Sequence, residues 1–390
     1  MAEKLVIICL LVAGASFLPF VARRFNIPSA VLEILFGMLL FHSALHEKPE
    51  WFEFLKDLGF IYLMFVAGME LDLRALLRNT KVCWYVMIPA LSLLLTPALF
   101  YLSGNSFYVG VSLSMISAGI TFPVLKEAGL LKHDLGRHIV GVTLAGEMLS
   151  IIALTALDIT HRYGFSFLLL VQVLKLVGLF ALATLTLRLV YVIAWWNPGQ
   201  VKRVMESEDP VEEGIRIAMA IVFVGALIAY GAGMEPIMGS FMAGVMFTFV
   251  FRNKSRFEEK INALGFGFFV PFFFMGVGAD FDTTLLFSLR DIFLAVLMAA
   301  LIFASNLPAL LIKRYLGLSL REGLLMTLLL SAPLSMIVVA GTIGTKLGLI
   351  DSVMNNTLIL SALFASLIFP FFFRVLARGI LKPGEEAQKA

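Results

Sequence analysis

One ionisable side chain stands in the middle of an otherwise apolar stretch. From His138 to Asp158 the sequence reads HIVGVTLAGEMLSIIALTALD, and between those two ends Glu147 is the sole residue charged at neutral pH. A helix of about twenty such residues is long enough to cross the bilayer core. A carboxylate at that depth is costly, so its default reading is an ion site or a proton relay. The plainer alternatives are a glutamate lining a wet vestibule or one hydrogen-bonded to a neighbouring helix. A monovalent cation held there would need more oxygen. Thr143 precedes Glu147 by four residues and lies on the same helix face. Further hydroxyls come from Ser117, Thr121, Ser331 and Ser335, backbone carbonyls from around Ile120 and Thr121, and an amide from Asn306.

The elements that must position these groups are membrane helices. The 390 residues are 60% hydrophobic and 15% charged, with a mean hydropathy of +0.95. Ordinary soluble domains do not have this composition. Apolar runs recur to the end of the chain, in place of the short alternating segments of a barrel. Spans are expected near 5–22, 28–41, 57–71, 82–102, 107–126, 138–158, 165–196, 214–231, 235–251, 261–279, 292–315, 322–344 and 354–377. With the N-terminus outside, 22 of the 30 lysines and arginines fall on the cytoplasmic side, as the positive-inside rule requires for an N-out, C-in chain. The first run, Leu5 to Val21, is read as a retained helix, with Arg23 and Arg24 directly behind it. A net charge of +3 is too small to point to nucleic acid, and Cys9 and Cys83, both in apolar runs, report little about redox compartment. No nucleophile motif, phosphate loop, haem site or metal-ligand spacing is present, so neither an enzyme nor a cofactor is expected.

The chain is internally repeated. GMELD (Gly68 to Asp72) and GADFD (Gly278 to Asp282) match at an offset of 210 residues, as do Pro123 and Pro333; Pro28 and Gly37 are echoed near that offset by Pro236 and Gly244. Equivalent helices lie seven spans apart, an odd number, so the halves have opposite orientation, the plan of many secondary transporters. The division is 1–196 for the first repeat with linker span seven, 197–213 for a cytoplasmic linker, 214–378 for the second repeat and 379–390 for a cytoplasmic tail. Matched interruptions in the two halves mark the place to look for a site. They are expected at Ile120, Phe122 and Pro123 in span five, and at Ala332 and Pro333 in span twelve. A proline removes an amide donor, and irregular backbone at membrane depth is tolerated only around a protein-lined or wet cavity.

In these motifs the sequence resembles the cation/proton antiporter superfamily, especially the branch of Kef-type and Nap-type antiporters. FVAGMELD (Phe65 to Asp72) is similar to the end of the family's third span, and SAGITFPVLKEAGLL (Ser117 to Leu131) to its unwound fifth. GRHIVGVTLAGEMLSI is similar to its carboxylate helix, FFMGVGADFD (Phe273 to Asp282) to its tenth span, and SLREG (Ser319 to Gly323) to the entry of its twelfth. The resemblance implies an all-α fold with two inverted repeats, crossed discontinuous helices, a homodimer and elevator-like alternating access. It also implies a bacterial cytoplasmic membrane. Many Kef-type relatives continue into a cytoplasmic nucleotide-binding domain, which is expected to be absent here or to have been cut away. Two departures matter. The polar pair that the family commonly carries in its sixth span is Gly146-Glu147 here. The family's basic position in the eleventh span falls at Ser305 or Asn306. With no base nearby, burial favours a neutral Glu147, loaded with either a proton or one Na⁺ or K⁺, which predicts electroneutral exchange. The competing expectations are a symporter or organic-anion carrier on a similar fold, and a non-transporting sensor or channel-like module. Glu33 is read as a partner for Arg23 or Arg24 or as a second proton site. Glu70, Asp72, Asp280 and Asp282 are read as helix-end caps, ion-pair partners or vestibule residues.

Overall fold

The computed structural model describes residues 2–25, 27–45, 48–70, 80–131, 133–164, 213–231, 236–250 and 255–377, with positions 171, 174, 178, 181 and 185 between them. Among the described residues the chain is helical, without strands. In order, the helices are α1 (Ala2–Phe25), α2 (Ser29–Leu39) running into a π-turn at Leu40–Leu45, α3 (Glu50–Glu70), α4 (Val82–Leu102), α5 (Phe107–Leu113), α6 (Ala118–Glu127) and α7 (Asp134–Tyr163). There follow α8 (Glu213–Gly231), α9 (Pro236–Val250), α10 (Ser255–Leu264) continued by a π-turn at Gly265–Phe269 into α11 (Val270–Asp280), and a 3₁₀ turn at Thr283–Phe287. The chain closes with α12 (Leu289–Ser305), α13 (Pro308–Leu316), α14 (Leu320–Leu330), α15 (Leu334–Lys346) and α16 (Ser352–Ala377). Among the described residues, six continuous segments are long and apolar enough to cross a membrane, including Asp134–Arg162 and Ser352–Ala377. Expected span seven, the linker up to 212 and the tail lie outside the described residues, apart from the five single positions.

Local chemistry explains the helix ends. Ser319 and Glu322 form a reciprocal capping box, each side chain accepting the other's backbone N–H, at 3.3 and 2.8 Å. This is the physical content of the SLREG motif. Gly317, at φ 77°, closes α13 in a left-handed conformation that glycine adopts without steric cost. Asp280 at the end of α11 pairs with Lys48 and Lys56, and Asp282 accepts from the backbone and hydroxyl of Thr284, at 2.9 and 2.7 Å. These two acids are spent on structure.

The chain divides into two compact units. One comprises Met1–Ala75 and Ile159–Phe281, the other Leu76–Asp158 and Asp282–Ala390. Each unit draws spans from both sequence halves, so the units cut across the repeats. The first unit is stitched by small residues, the usual device for close helix contact where lipid gives no hydrophobic drive. A Cβ on Gly68 would stand 2.1 Å from the Phe241 carbonyl oxygen, and one on Gly244 2.1 Å from that of Phe65. The α2–α11 seam repeats the pattern: Gly278 lies against the Ile34 carbonyl (1.9 Å to the same built atom) and Gly37 against that of Met275 (2.0 Å). Exchanging repeat-equivalent residues converts one seam into the other. The second unit holds α4–α7 and α12–α16, with α16 packed along α12 and α15. It contains the interrupted helices.

Candidate functional site

Both interruptions are present. α5 stops at Leu113 and α6 starts at Ala118, leaving Ser114–Ser117 unwound. α14 stops at Leu330 and α15 starts at Leu334, with a bend of 40° between them. The first break lies upstream of its expected place. Ile120, Phe122 and Pro123 are inside α6, whereas Ala332 and Pro333 are in the second break. Pro123 and Pro333 are therefore not structural equivalents: Pro333 is the N-cap of α15, and Pro123 is an interior residue of α6. In each case the preceding helix ends at a serine whose backbone N–H and hydroxyl both bond back to one carbonyl of its last turn. Ser114 Oγ donates to the Val111 carbonyl (2.8 Å) and Ser331 Oγ to that of Thr327 (2.7 Å).

The amino ends of α6 and α15 meet. Ser117 Oγ and Ser335 Oγ hydrogen-bond at 2.5 Å. Gly119 N donates to Ser117 Oγ (3.3 Å), and Thr121 Oγ1 donates to the Ser117 carbonyl (3.2 Å). Gly119 leaves this place open; a Cβ there would lie 3.4 Å from Ser335 Oγ. Helix amino ends carry partial positive charge and are natural seats for anions. Here the anion is supplied by the protein. Glu147, 2% exposed at mid-helix in α7, accepts a long hydrogen bond from Ala118 N, the first residue of α6, at 3.4 Å. The carboxylate thus faces a helix dipole where the family often has a basic side chain nearby.

The surroundings of Glu147 are set by three further residues. Thr143 is fully buried, and its hydroxyl has no hydrogen-bond partner among the described residues. Gly146 is pressed by Ile116: a Cβ at 146 would stand 2.8 Å from Ile116 Cβ. Ser150 Oγ accepts from Ile116 N (3.1 Å) and donates to the Gly146 carbonyl (2.7 Å). Ile116 and Ser150 were not identifiable as site residues from the sequence, because what selects them is the pairing of α7 with the unwound segment. Ser331 and Asn306, both fully buried, make local bonds: Ser331 to Thr327 as above, Asn306 Nδ2 to the Ile302 carbonyl (3.0 Å). Of the two residues at which the family's base would fall, Ser305 Oγ donates to the Leu113 carbonyl (3.0 Å), at the carbonyl end of α5. A neutral hydroxyl meets that negative helix end. Glu33 is buried in α2 of the other unit, while Arg23 donates to the Pro19 carbonyl and lies over the Phe20 ring.

What this arrangement can do is hold a small monocation or a proton on one buried carboxylate, with hydroxyl oxygens close by. The transmembrane sodium/hydrogen exchanger family matches residues 8–379. YjbQ of Bacillus subtilis is 28% identical over 395 residues, spanning 94% of this chain and 62% of that protein. The Na⁺/H⁺ antiporter of Enterococcus hirae is 26% identical over 401 residues, spanning 97% and 99%. Na⁺/H⁺ antiporter NhaS5 of Synechocystis is 26% identical over 370 residues, and the chain spans 52% of its length. The solved structure of the sodium/proton antiporter NhaP1 from Methanocaldococcus jannaschii at pH 8 superposes with a TM-score of 0.64 at 16% identity, covering 97% of this chain and 99% of that one, so the fold is shared. With the family match running from the first helix to the last, this chain is a membrane-embedded member of the sodium/hydrogen exchanger family.

Proposed function

We propose that the chain exchanges one monovalent cation, Na⁺ or K⁺, for one proton, with Glu147 as the carboxylate both share. The observation that carries this is the placement of Glu147: buried, mid-span, at the amino end of a broken helix and beside the Ser117–Ser335 pair. The names of the E. hirae, Synechocystis and M. jannaschii relatives support the substrate pair. A protonated carboxyl and a carboxylate–cation pair are both neutral, and either is cheaper to carry through a low-dielectric environment than the bare anion. The empty anion stays where the α6 amino end holds it. Obligatory neutralisation couples the two fluxes and makes the exchange electroneutral. The cycle is completed by elevator-like alternating access in a homodimer, in a bacterial cytoplasmic membrane with the N-terminus outside and the C-terminus inside. An organic-anion carrier is the weaker assignment, because Glu147 already occupies the seat at the α6 amino end that a substrate anion would need.

The test is proton movement in proteoliposomes with an entrapped pH dye, driven by a Na⁺ or K⁺ gradient. The wild type is expected to move protons, and Glu147→Gln to fall to the liposome background while remaining monodisperse. A folded wild type inert toward every alkali cation, or an active Glu147→Gln, contradicts the proposal.

A further inference from the structure

We infer that Ser150 is a positioning residue for exchange, acting through the contact between Ala118 N and Glu147; this rests on the proposed role of Glu147. Ser150 follows Glu147 by three residues, is 1% exposed, and is engaged on both sides of its hydroxyl. It donates to the Gly146 carbonyl of its own helix and accepts from Ile116 N across the gap. The second bond is the informative one. Ile116 belongs to the four unwound residues between α5 and α6: Ser114 N and Met115 N still donate back to Val111 and Ser112 of α5, and Ile116 N is the first amide to turn to another helix. Two residues further along, Ala118 N makes the contact to Glu147 Oε1.

The three atoms form a short chain of cause. The Ser150 hydroxyl fixes Ile116 N, Ile116 fixes the entry into α6, and the first amide of α6 faces the carboxylate. The same latch holds the Ile116 side chain over Gly146, where a Cβ would stand 2.8 Å from Ile116 Cβ. Removing the acceptor leaves a buried N–H unpaired, which costs more than the bond itself contributed. The unwound segment can recover that loss only by moving away from α7, and this takes the α6 amino end off Glu147. Ser150 touches neither the proton nor the cation in this scheme. Its effect is to set how well the carboxylate is presented, so it should appear in apparent cation affinity and in the pH profile before it appears in maximal rate.

The experiment uses the full chain in proteoliposomes, with Na⁺-driven and K⁺-driven proton flux measured from pH 6 to 9 in wild type, Ser150→Ala, Ser150→Cys and Ser150→Thr. Cysteine keeps the volume of serine with a poor acceptor, so it decides the matter if the alanine variant misfolds. Alanine and cysteine are expected to raise the apparent cation KM about tenfold, the scale on which one lost hydrogen bond to a buried group weighs, and to displace the pH profile. Maximal rate should change less than KM. Threonine, which retains the hydroxyl, should restore both. Wild-type KM and pH profile in a folded Ser150→Ala or Ser150→Cys overturn the inference, as does a threonine variant no better than alanine. Should the wild type itself show no exchange with any alkali cation, the failure belongs to the proposed function and not to Ser150.

Discussion

At the residue scale, position 146 explains the unusual Gly146-Glu147 pair. Ile116 fills the volume that a side chain preceding the acid would need, so this site has room for one carboxylate in α7 and not for a pair. Gly146→Ala places a Cβ against Ile116 Cβ, which is attached to backbone and cannot swing aside. Overpacking of this kind costs about 1–3 kcal/mol. The expected outcome is a lower unfolding midpoint in detergent together with reduced exchange; an unchanged midpoint with full flux would mean that Ile116 yields freely. Glu147 was legible from sequence alone, because a single charge in an apolar span is costly wherever its helix packs. The hydroxyls were legible as a group but not as an arrangement. Ser117 and Ser335 meet, whereas Thr121, Ser331 and Asn306 make bonds within their own segments. Ser150 and Ile116 depend on a contact between α7 and the break, which no local pattern encodes.

At the element scale, the second break falls at Ala332 and Pro333 as the sequence suggests, whereas the first lies upstream of its expected place. Proline was the visible signal, yet in α6 it stands five residues past the start of the helix. Its role there differs from that of Pro333. Lacking an N–H, Pro123 cannot donate to the carbonyl of Gly119 four residues earlier, the residue beside the Ser117–Ser335 bridge. That carbonyl is a candidate ligand for the cation. Pro123→Ala supplies the missing donor, so apparent cation KM should rise several-fold while the unfolding midpoint holds or increases. Unchanged KM in Pro123→Ala would remove the Gly119 carbonyl from the site.

At the scale of the whole molecule, the repeat inferred from a handful of glycines and prolines has physical content in the first unit. Gly68 and Gly278 each press on a partner carbonyl, as do Gly244 and Gly37; these are the residues whose register marked the repeat. They could be matched by sequence because backbone-to-backbone approach accepts glycine and little else. The grouping of spans into two units could not, because each unit takes helices from both halves of the chain. What joins the scales is the proposal that one carboxylate of the second unit, Glu147, serves proton and cation in turn. The most direct measurement is apparent cation KM and maximal rate as a function of pH, equal on both sides of the liposome membrane. If both substrates share Glu147, protons compete with the cation, so acidification should raise KM, towards about tenfold per pH unit, with maximal rate preserved at saturating cation. A KM indifferent to pH, with the rate falling instead, would mean that proton and cation bind at separate sites and would contradict the account.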